Sequence, residues 1–264
     1  MSKMAFVYPG QGVQNPGMGA DFYKESKEAE QIYNEAESIL DFDIKKVCFE
    51  ENDLINNTEY TQAALVTTYL AITGEVIKRE IFPDVTAGLS LGEYGAICVA
   101  GGMNEKEAIS LVRKRGIYMN NAVPEGFGGM TAVLGLNKED IDNVLREKDG
   151  VSVANYNCPG QIVITGSVEA IESSVPDLKK LGARCVKLKV RGPFHSPYLK
   201  EAGEKLGRDL EKVTFNNLSI PYVSNVTGEY VDDIKYTKEL LKQQVYSPVK
   251  WEQSVRCMIE NGVD

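Results

Sequence analysis

The fold of this chain is decided by one stretch, Val85-Thr86-Ala87-Gly88-Leu89-Ser90-Leu91-Gly92-Glu93-Tyr94. Its small residues predict a strand that runs into Ser90, and the residues that follow predict a helix ending at Gly101-Gly102. Gly88 and Gly92 flank the serine at the spacing of a nucleophile elbow, in which glycines let strand and helix approach closely around an exposed serine. The N–H groups at the start of the helix would then stabilise an oxyanion that forms beside Ser90.

A short glycine motif also fits an ordinary turn with an exposed serine. The elbow therefore needs a base, an oxyanion donor and a substrate anchor from elsewhere in the chain. The chain has a single histidine, His195, so it is the one candidate base, and sites with several histidine ligands are excluded. Ser196 and Pro197 predict a helix start directly after it, whose dipole would keep the ring neutral. The alternative is a surface histidine in a proline-rich turn.

Arg115 is the candidate anchor. It lies in a helix predicted from Glu105 to about Asn121, behind the capping residue Asn104. The side chains that share its face of this helix are apolar: Ala108, Leu111, Val112 and Met119. An arginine on a buried face is rarely left unpaired, because an uncompensated buried charge is costly. Two interpretations stay open: an internal ion pair or a stem that reaches water, and a grip for a substrate carboxylate.

The composition indicates a globular protein with a sizeable core, since 43% of the 264 residues are apolar and 25% are charged. A net charge of −9 argues against nucleic acid or an anionic membrane as a partner. The five cysteines have no metal-binding or redox spacing, which predicts reduced thiols in a cytoplasm and no metal. No segment approaches the roughly 18 apolar residues of a membrane span.

Strands and helices alternate along most of the chain, which predicts an α/β fold with a parallel sheet. The first strand, Ala5 to Tyr8, is followed by the glycine loop Pro9-Gly10-Gln11-Gly12, at the sheet edge where ligands bind in open α/β proteins. One helix is predicted over Phe22 to Leu40 and another from Asn57 to about Arg79. A strand is predicted over Ser219 to Ser224.

Residues 124–192 have a different order, β-α-β-β-α-β, which is the ferredoxin-like pattern. We therefore predict a small subdomain at 124–192, inserted into a large α/β domain made of 1–123 and 193–264. The last strand of the insertion, Arg184 to Val190, alternates apolar and basic residues. Its basic row is Lys187, Lys189 and Arg191. This row is a solvated face or a docking patch for an acidic partner.

Several stretches together resemble one family, the malonyl-CoA:acyl-carrier-protein transacylases. The stretches occur in the family's order and are Pro9-Gly10-Gln11-Gly12, Tyr60-Thr61-Gln62, Gly88 to Tyr94, Arg115-Gly116, Asn155 to Gln161, Pro193-Phe194-His195-Ser196 and Ser247 to Trp251. The resemblance covers nearly the whole chain. It implies a hydrolase-like α/β domain that carries a ferredoxin-like insertion.

The resemblance also implies roles. Ser90 is the nucleophile, His195 is the base of a dyad without an acid, and Arg115 holds the malonyl carboxylate. The remaining implied residues are Gln11 and Leu91 (backbone N–H groups of the oxyanion hole), Gln62, Met119 and Phe194 (substrate pocket), and Ser247 (main-chain carbonyl that orients the base). Malonyl would pass from malonyl-CoA to the thiol of acyl carrier protein, with no cofactor, in a monomer that supplies fatty-acid elongation.

Two alternatives remain at this point. A serine esterase or thioesterase needs an acid between Ser90 and His195 in chain order. The acids available there by position are Asp140, Asp142, Asp149 and Asp177. An inactive, truncated transacylase is the other alternative, because the resemblance implies a further strand and a Gly-Pro-Gly loop that are not found before Asp264.

Overall fold

The computed structural model describes residues 3–264 and contains two four-stranded sheets there. The strands are β1 (Ala5–Tyr8), β2 (Val85–Gly88), β3 (Gly128–Leu134), β4 (Val151–Cys158), β5 (Gln161–Ser167), β6 (Arg184–Lys187), β7 (Tyr222–Val223) and β8 (Tyr230–Val231). The α-helices are α1 (Ala20–Glu25), α2 (Lys27–Ile39), α3 (Ile44–Phe49), α4 (Thr58–Lys78), α5 (Gly92–Val99), α6 (Glu105–Asn120), α7 (Lys138–Arg146), α8 (Val168–Lys180), α9 (Lys200–Leu210), α10 (Thr237–Gln244) and α11 (Trp251–Glu260). None of these helices is long and apolar enough to cross a bilayer.

The first sheet has the order β1-β2-β7-β8 and carries the elbow. Strands β1, β2 and β7 are parallel, and β8 is antiparallel to β7. Tyr8 pairs with Gly88, so the loops after β1 and β2 leave the same edge of the sheet side by side. The predicted parallel α/β sheet is thereby confirmed, and the glycine loop lies next to the Ser90 turn.

Helix α4 is the central helix of the core and packs against α2 and α6. Its N-cap is Asn57, and the N-cap of α6 is Asn104, which forms a capping box with Glu107. These caps fix where the two helices begin, as the sequence predicts. The packing aims Gln62 of α4 and Arg115 of α6 into the same buried space.

The second sheet is antiparallel, with the order β4-β5-β3-β6. Its elements follow the order β-α-β-β-α-β, so the predicted α/β class with a ferredoxin-like insertion is confirmed. The boundaries at 124 and 192, and the division into 1–123, 124–192 and 193–264, stay predictions.

Three predicted elements differ in extent. The helix predicted over 22–40 is broken at Ser26, because this residue is extended and caps α2 by accepting the N–H of Ala29. The strand predicted over 219–224 is only Tyr222–Val223. Strand β6 ends at Lys187, three residues before the predicted end, where its pairing with Thr131 stops.

Candidate active site

A cavity of about 430 Å³ opens between the two sheets, at the end of β1 and β2. One wall comes from the loops after these strands, and the opposite wall comes from the second sheet through Met130, Asn155 and Val163. Leu188 and Val190, which follow β6, also line the cavity. The site is therefore shared between the large sheet and the insertion.

Ser90 lies at the bottom of the turn between β2 and α5 with a left-handed backbone, φ 55°. This conformation is costly for a residue other than glycine and marks a strained turn. Close packing explains the flanking glycines, since a Cβ on Gly88 would lie 2.0 Å from the carbonyl carbon of Gly92. The Ser90 N–H donates to Oδ1 of Asn225 at 2.6 Å.

His195 lies beside Ser90, with 2.8 Å between Nε2 and the serine Oγ. Its Nδ1 is 2.8 Å from the carbonyl oxygen of Gln244, which can only accept, so we assign the ring proton to Nδ1. Nε2 is then free to accept the proton of the serine hydroxyl. With 4% of its surface exposed, His195 is a buried residue and not a surface histidine.

The neutral state of His195 has a different cause from the predicted one. Burial, followed by the charge of Arg115, lowers the pKa of His195 to about 3. The segment after it, Pro197–Leu199, is a 3₁₀ turn, and α9 begins only at Lys200. Ser196 does not cap it; its hydroxyl donates to the carbonyl of Pro193.

The carbonyl that orients His195 also differs from the prediction. The acceptor at bonding distance is Gln244, three residues before the predicted Ser247. Gln244 is the last residue of α10, so its carbonyl has no partner within the helix. The backbone of Ser247 acts in the same direction on the pKa of His195, more weakly than Gln244.

Arg115 is 1% exposed, and its guanidinium contacts only neutral groups. It donates to Oε1 of Gln62 at 2.6 Å, to Oε1 of Gln244 at 2.9 Å and to Oγ of Ser90 at 3.0 Å. No carboxylate of residues 3–264 forms an ion pair with it, and its Nε has no acceptor there. Burial lowers its pKa from 12.5, against the opposing effects of Tyr94 and of the carboxyl group of Glu93, which does not contact it. The internal ion pair and the stem that reaches water are therefore both wrong for Arg115.

The two residues predicted to form the oxyanion hole lie next to Ser90 at the cavity. Gln11 and Leu91 both line it, and within residues 3–264 neither backbone N–H donates to a protein acceptor. The side chain of Gln11 is held by the hydroxyl of Thr58 at 3.1 Å, which steadies the loop. Leu91 is buried and Gln11 is half-buried, and backbone donors without a protein acceptor are suited to an oxyanion.

The other predicted pocket residues also lie at the cavity. Met119 and Phe194 are buried in its wall, 3% and 6% exposed. The sulfur of Met119 lies 3.6 Å from Nε2 of Gln62, so that Oε1 of the same amide faces Arg115. No group of residues within 3–264 is arranged to hold a metal ion.

Two residues of the site were not predicted. Asn225 contacts the backbone of Ser90, and Gln244 contacts Ser90, Arg115 and His195. They lie 135 and 154 positions after Ser90 in the chain. A single amide side chain carries no spacing signal, so no pattern in the sequence indicates either of them.

The lowered pKa of His195 predicts how stability depends on pH. Above the ordinary histidine pKa of 6.5, His195 binds no proton in either the folded or the unfolded chain. Below it, His195 is protonated in the unfolded chain but stays neutral in the folded one. The buried neutral ring therefore has no effect on stability above pH 6.5 and lowers the unfolding free energy progressively as pH falls from 6.5 towards 3. We expect the difference in unfolding free energy between wild type and His195→Gln to change by about 1.4 kcal/mol per pH unit there. Denaturant unfolding at pH 5.0, 6.0 and 7.5 measures it, and a difference that is constant across these values would contradict the assignment.

Comparison with known proteins agrees with the fold and the geometry. Residues 5–264 match the model of the acyl transferase domain family, and the chain belongs to that family. The malonyl CoA-acyl carrier protein transacylase of Bacillus subtilis (strain 168) is 41% identical over 269 residues, covering 100% of this chain and 85% of that protein. This confirms the family indicated by the motifs, the malonyl-CoA:acyl-carrier-protein transacylases, and with it an acyltransferase enzyme.

Solved structures show the same relationship. A malonyl CoA-acyl carrier protein transacylase from Clostridium perfringens superposes with a TM-score of 0.96 at 40% identity, covering 100% of this chain and 84% of that one. A malonyl-transacylase in complex with a type II polyketide acyl-carrier protein superposes with a TM-score of 0.94 at 37% identity, covering 99% and 87%.

Proposed function

We propose that this enzyme transfers malonyl from malonyl-CoA to the phosphopantetheine thiol of acyl carrier protein through an ester on Ser90, for fatty-acid elongation. The observation that supports it most is Arg115, a buried cation 3.0 Å from the serine Oγ that has only neutral partners. An acyl group that carries its own carboxylate would give the guanidinium a carboxylate in direct contact, which the protein does not supply, since the two groups pair bidentately.

The first half-reaction follows from the contacts of Ser90. His195 Nε2 accepts the hydroxyl proton as Oγ attacks the thioester carbonyl. The N–H groups of Gln11 and Leu91 would donate to the oxyanion that forms. When the carbon–sulfur bond breaks, the CoA sulfur takes the proton from His195, and malonyl remains on Ser90 as an ester.

The second half-reaction runs the same steps in reverse order. The carrier-protein thiol gives its proton to His195 and attacks the ester carbonyl. Collapse of the intermediate returns the proton to Ser90 Oγ and leaves malonyl on the carrier as a thioester. The two thiols use the site in turn, which predicts ping-pong kinetics.

The hydrolase alternative finds no support in the site. Asp142 pairs with Lys138, and Asp177 pairs with Lys148 and Lys180, on the outside of the insertion. Nδ1 of His195, where a triad acid would bind, is occupied by a backbone carbonyl. The short Ser90–His195 distance likewise favours a working site over an inactive one.

The transfer assay tests the proposal. With malonyl-CoA and carrier protein bearing its phosphopantetheine thiol, we expect malonyl-carrier and free CoA in equal amounts. Carrier protein without phosphopantetheine is the control and should accept nothing. Free malonate formed at the same rate with and without the carrier would contradict the proposal and favour the hydrolase.

We further propose that the carrier docks beside the basic residues after β6. Lys187 and Lys189 are exposed and, within residues 3–264, take no part in an ion pair, whereas Arg191 pairs with Glu125 at 2.6 Å. Leu188 and Val190, which alternate with the three basic residues in the chain, line the cavity. A carrier protein held by Lys187 and Lys189 would thus have its phosphopantetheine thiol next to the opening of the cavity.

Charge reversal tests this docking surface. We expect Lys187→Glu/Lys189→Glu to raise the KM for carrier protein about tenfold, because acidic partners are steered by such charges, and to leave loading from malonyl-CoA unchanged. The matched control is Lys24→Glu/Lys27→Glu, which reverses two exposed lysines near α2. Equal KM values for both double variants would contradict the docking site.

The absence of a cofactor, a monomeric state and a cytoplasmic location stay predictions. Size-exclusion chromatography with light scattering measures the oligomeric state directly.

A further inference from the structure

One buried acid in this site has no part in the reaction described above. Glu93 lies in the first turn of α5, three residues after Ser90, and is fully buried. Burial raises its pKa to about 7, against the opposing effect of its hydrogen bonds and of Arg115. An acid in such a place costs stability, so its contacts need an explanation.

A single oxygen of Glu93 holds two of the residues that surround the nucleophile, one by its side chain and one by its backbone. Its Oε2 accepts from Nε2 of Gln244 at 2.6 Å and from the backbone N–H of Asn225 at 3.2 Å. Its Oε1 has no partner among residues 3–264. The carboxyl group is thus placed for these two donors and not for an ion pair.

The two held residues in turn clamp the backbone of Ser90 on both sides. Oδ1 of Asn225 accepts the Ser90 N–H at 2.6 Å, and Nδ2 of Asn225 donates to the carbonyl of Gly88 at 2.6 Å. Nε2 of Gln244 donates to the carbonyl of Ser90 at 2.9 Å. These bonds fix both peptide groups of a serine whose φ of 55° is unfavourable in isolation.

We infer that Glu93 is a positioning residue of the nucleophile: through Asn225 and Gln244 it holds the Ser90 backbone in the left-handed conformation that aims Oγ at His195. The inference rests on the proposed function only in taking Ser90 as the nucleophile. Glu93 touches no reacting atom, and its effect is transmitted through two amide side chains.

Two substitutions separate this role from a purely structural one. Glu93→Gln keeps an oxygen that can accept both bonds, in the weaker neutral form, and places an N–H₂ where Oε1 has no partner. Glu93→Leu removes both bonds. Tyr33→Phe is the control, because it removes a different buried hydrogen bond, to Thr68 at 2.8 Å, far along the chain from the elbow.

The experiment follows Ser90 with a fluorophosphonate probe, which has no carboxylate, and with malonyl-CoA and acetyl-CoA, alongside thermal unfolding. For Glu93→Gln we expect a nearly unchanged unfolding temperature and about tenfold slower reaction with all three reagents, since small misplacements of a nucleophile are costly. The malonyl-to-acetyl ratio and the KM for malonyl-CoA should be preserved. Glu93→Leu should react more slowly still, and Tyr33→Phe should lose only stability.

Wild-type probe reactivity of Glu93→Gln at a normal unfolding temperature would overturn the inference. So would a loss confined to malonyl-CoA, because the carboxyl group would then act through Arg115 and not through Ser90. The probe needs only a reactive Ser90. A wild-type enzyme that reacts with it but never loads malonyl would therefore contradict the proposed function and leave the test of Glu93 intact.

Discussion

Replacement of Ser90 by alanine is expected to abolish the malonyl-enzyme and to lower transfer by at least about 10⁴-fold, because no other group can carry the ester. The reason is geometric: the hydroxyl lies 2.8 Å from His195 Nε2 and 3.0 Å from the guanidinium of Arg115. Removing one oxygen leaves the clamp on the Ser90 backbone in place, so the variant should fold normally.

Ser174→Ala is the matched control for this loss. Ser174 is also buried, and its hydroxyl only donates to the carbonyl of Ala170 within α8. We expect it to load malonyl like the wild type. Rates of CoA release and intact mass after incubation with malonyl-CoA measure both variants. A malonyl adduct on Ser90→Ala would place the nucleophile elsewhere.

Replacement of Arg115 by alanine is expected to lower malonyl loading about 100-fold or more, which corresponds to about 2.7 kcal/mol of transition-state stabilisation. Acetyl loading should change only a few fold, since acetyl has no carboxylate to pair. In the wild type the buried guanidinium penalises acetyl, because an acetyl group leaves it without a carboxylate in direct contact. The variant should therefore lose most of its preference for malonyl.

Arg113→Ala separates this effect from damage to α6. Arg113 is on the same helix and is also largely buried, but it pairs with both carboxylate oxygens of Asp41. We expect its loss to lower stability and to preserve the malonyl-to-acetyl ratio. Arg115→Lys should restore little, because an ammonium cannot reproduce the planar contacts to Gln62 and Gln244. Equal losses of malonyl and acetyl loading in Arg115→Ala would exclude the anchor role.

The parts of the site that could be predicted from sequence are those with a local signal. The elbow around Ser90 is a contiguous motif, His195 is the chain's single histidine, and Arg115 is set by the helical period of its neighbours. Each of these signals lies within a few residues of the position it predicts. The structure brings these three residues into contact.

The residues that hold Ser90, His195 and Arg115 in place could not be predicted in the same way. Asn225 and Gln244 reach the Ser90 turn from distant parts of the chain, and their register depends on how β7 and α10 pack. The acceptor closest to His195 Nδ1 is the carbonyl of Gln244, with Ser247 acting more weakly, because the end of α10 decides which carbonyl is free. Helix ends are set by tertiary packing and are the least predictable part of an element.

In the ferredoxin-like insertion, too, the end of an element could not be predicted from the sequence. Alternation of apolar and basic residues predicts a strand to Val190, and the structure ends it at Lys187. The apolar residues Leu188 and Val190 are still turned inward, to the cavity and not to a sheet. The alternation thus indicates the buried side correctly at Leu188 and Val190, where a cavity wall replaces a strand partner, but not at Val186, which is 38% exposed.

A pulse and chase on the intact protein shows whether malonyl passes through Ser90 to the carrier. After malonyl-CoA alone, we expect a mass increase of one malonyl group, mapped to the peptide that contains Ser90. After addition of carrier protein with a free phosphopantetheine thiol, that increase should disappear from the enzyme and appear in full on the carrier. An adduct on another residue, or one lost as free malonate without reaching the carrier, would contradict this route.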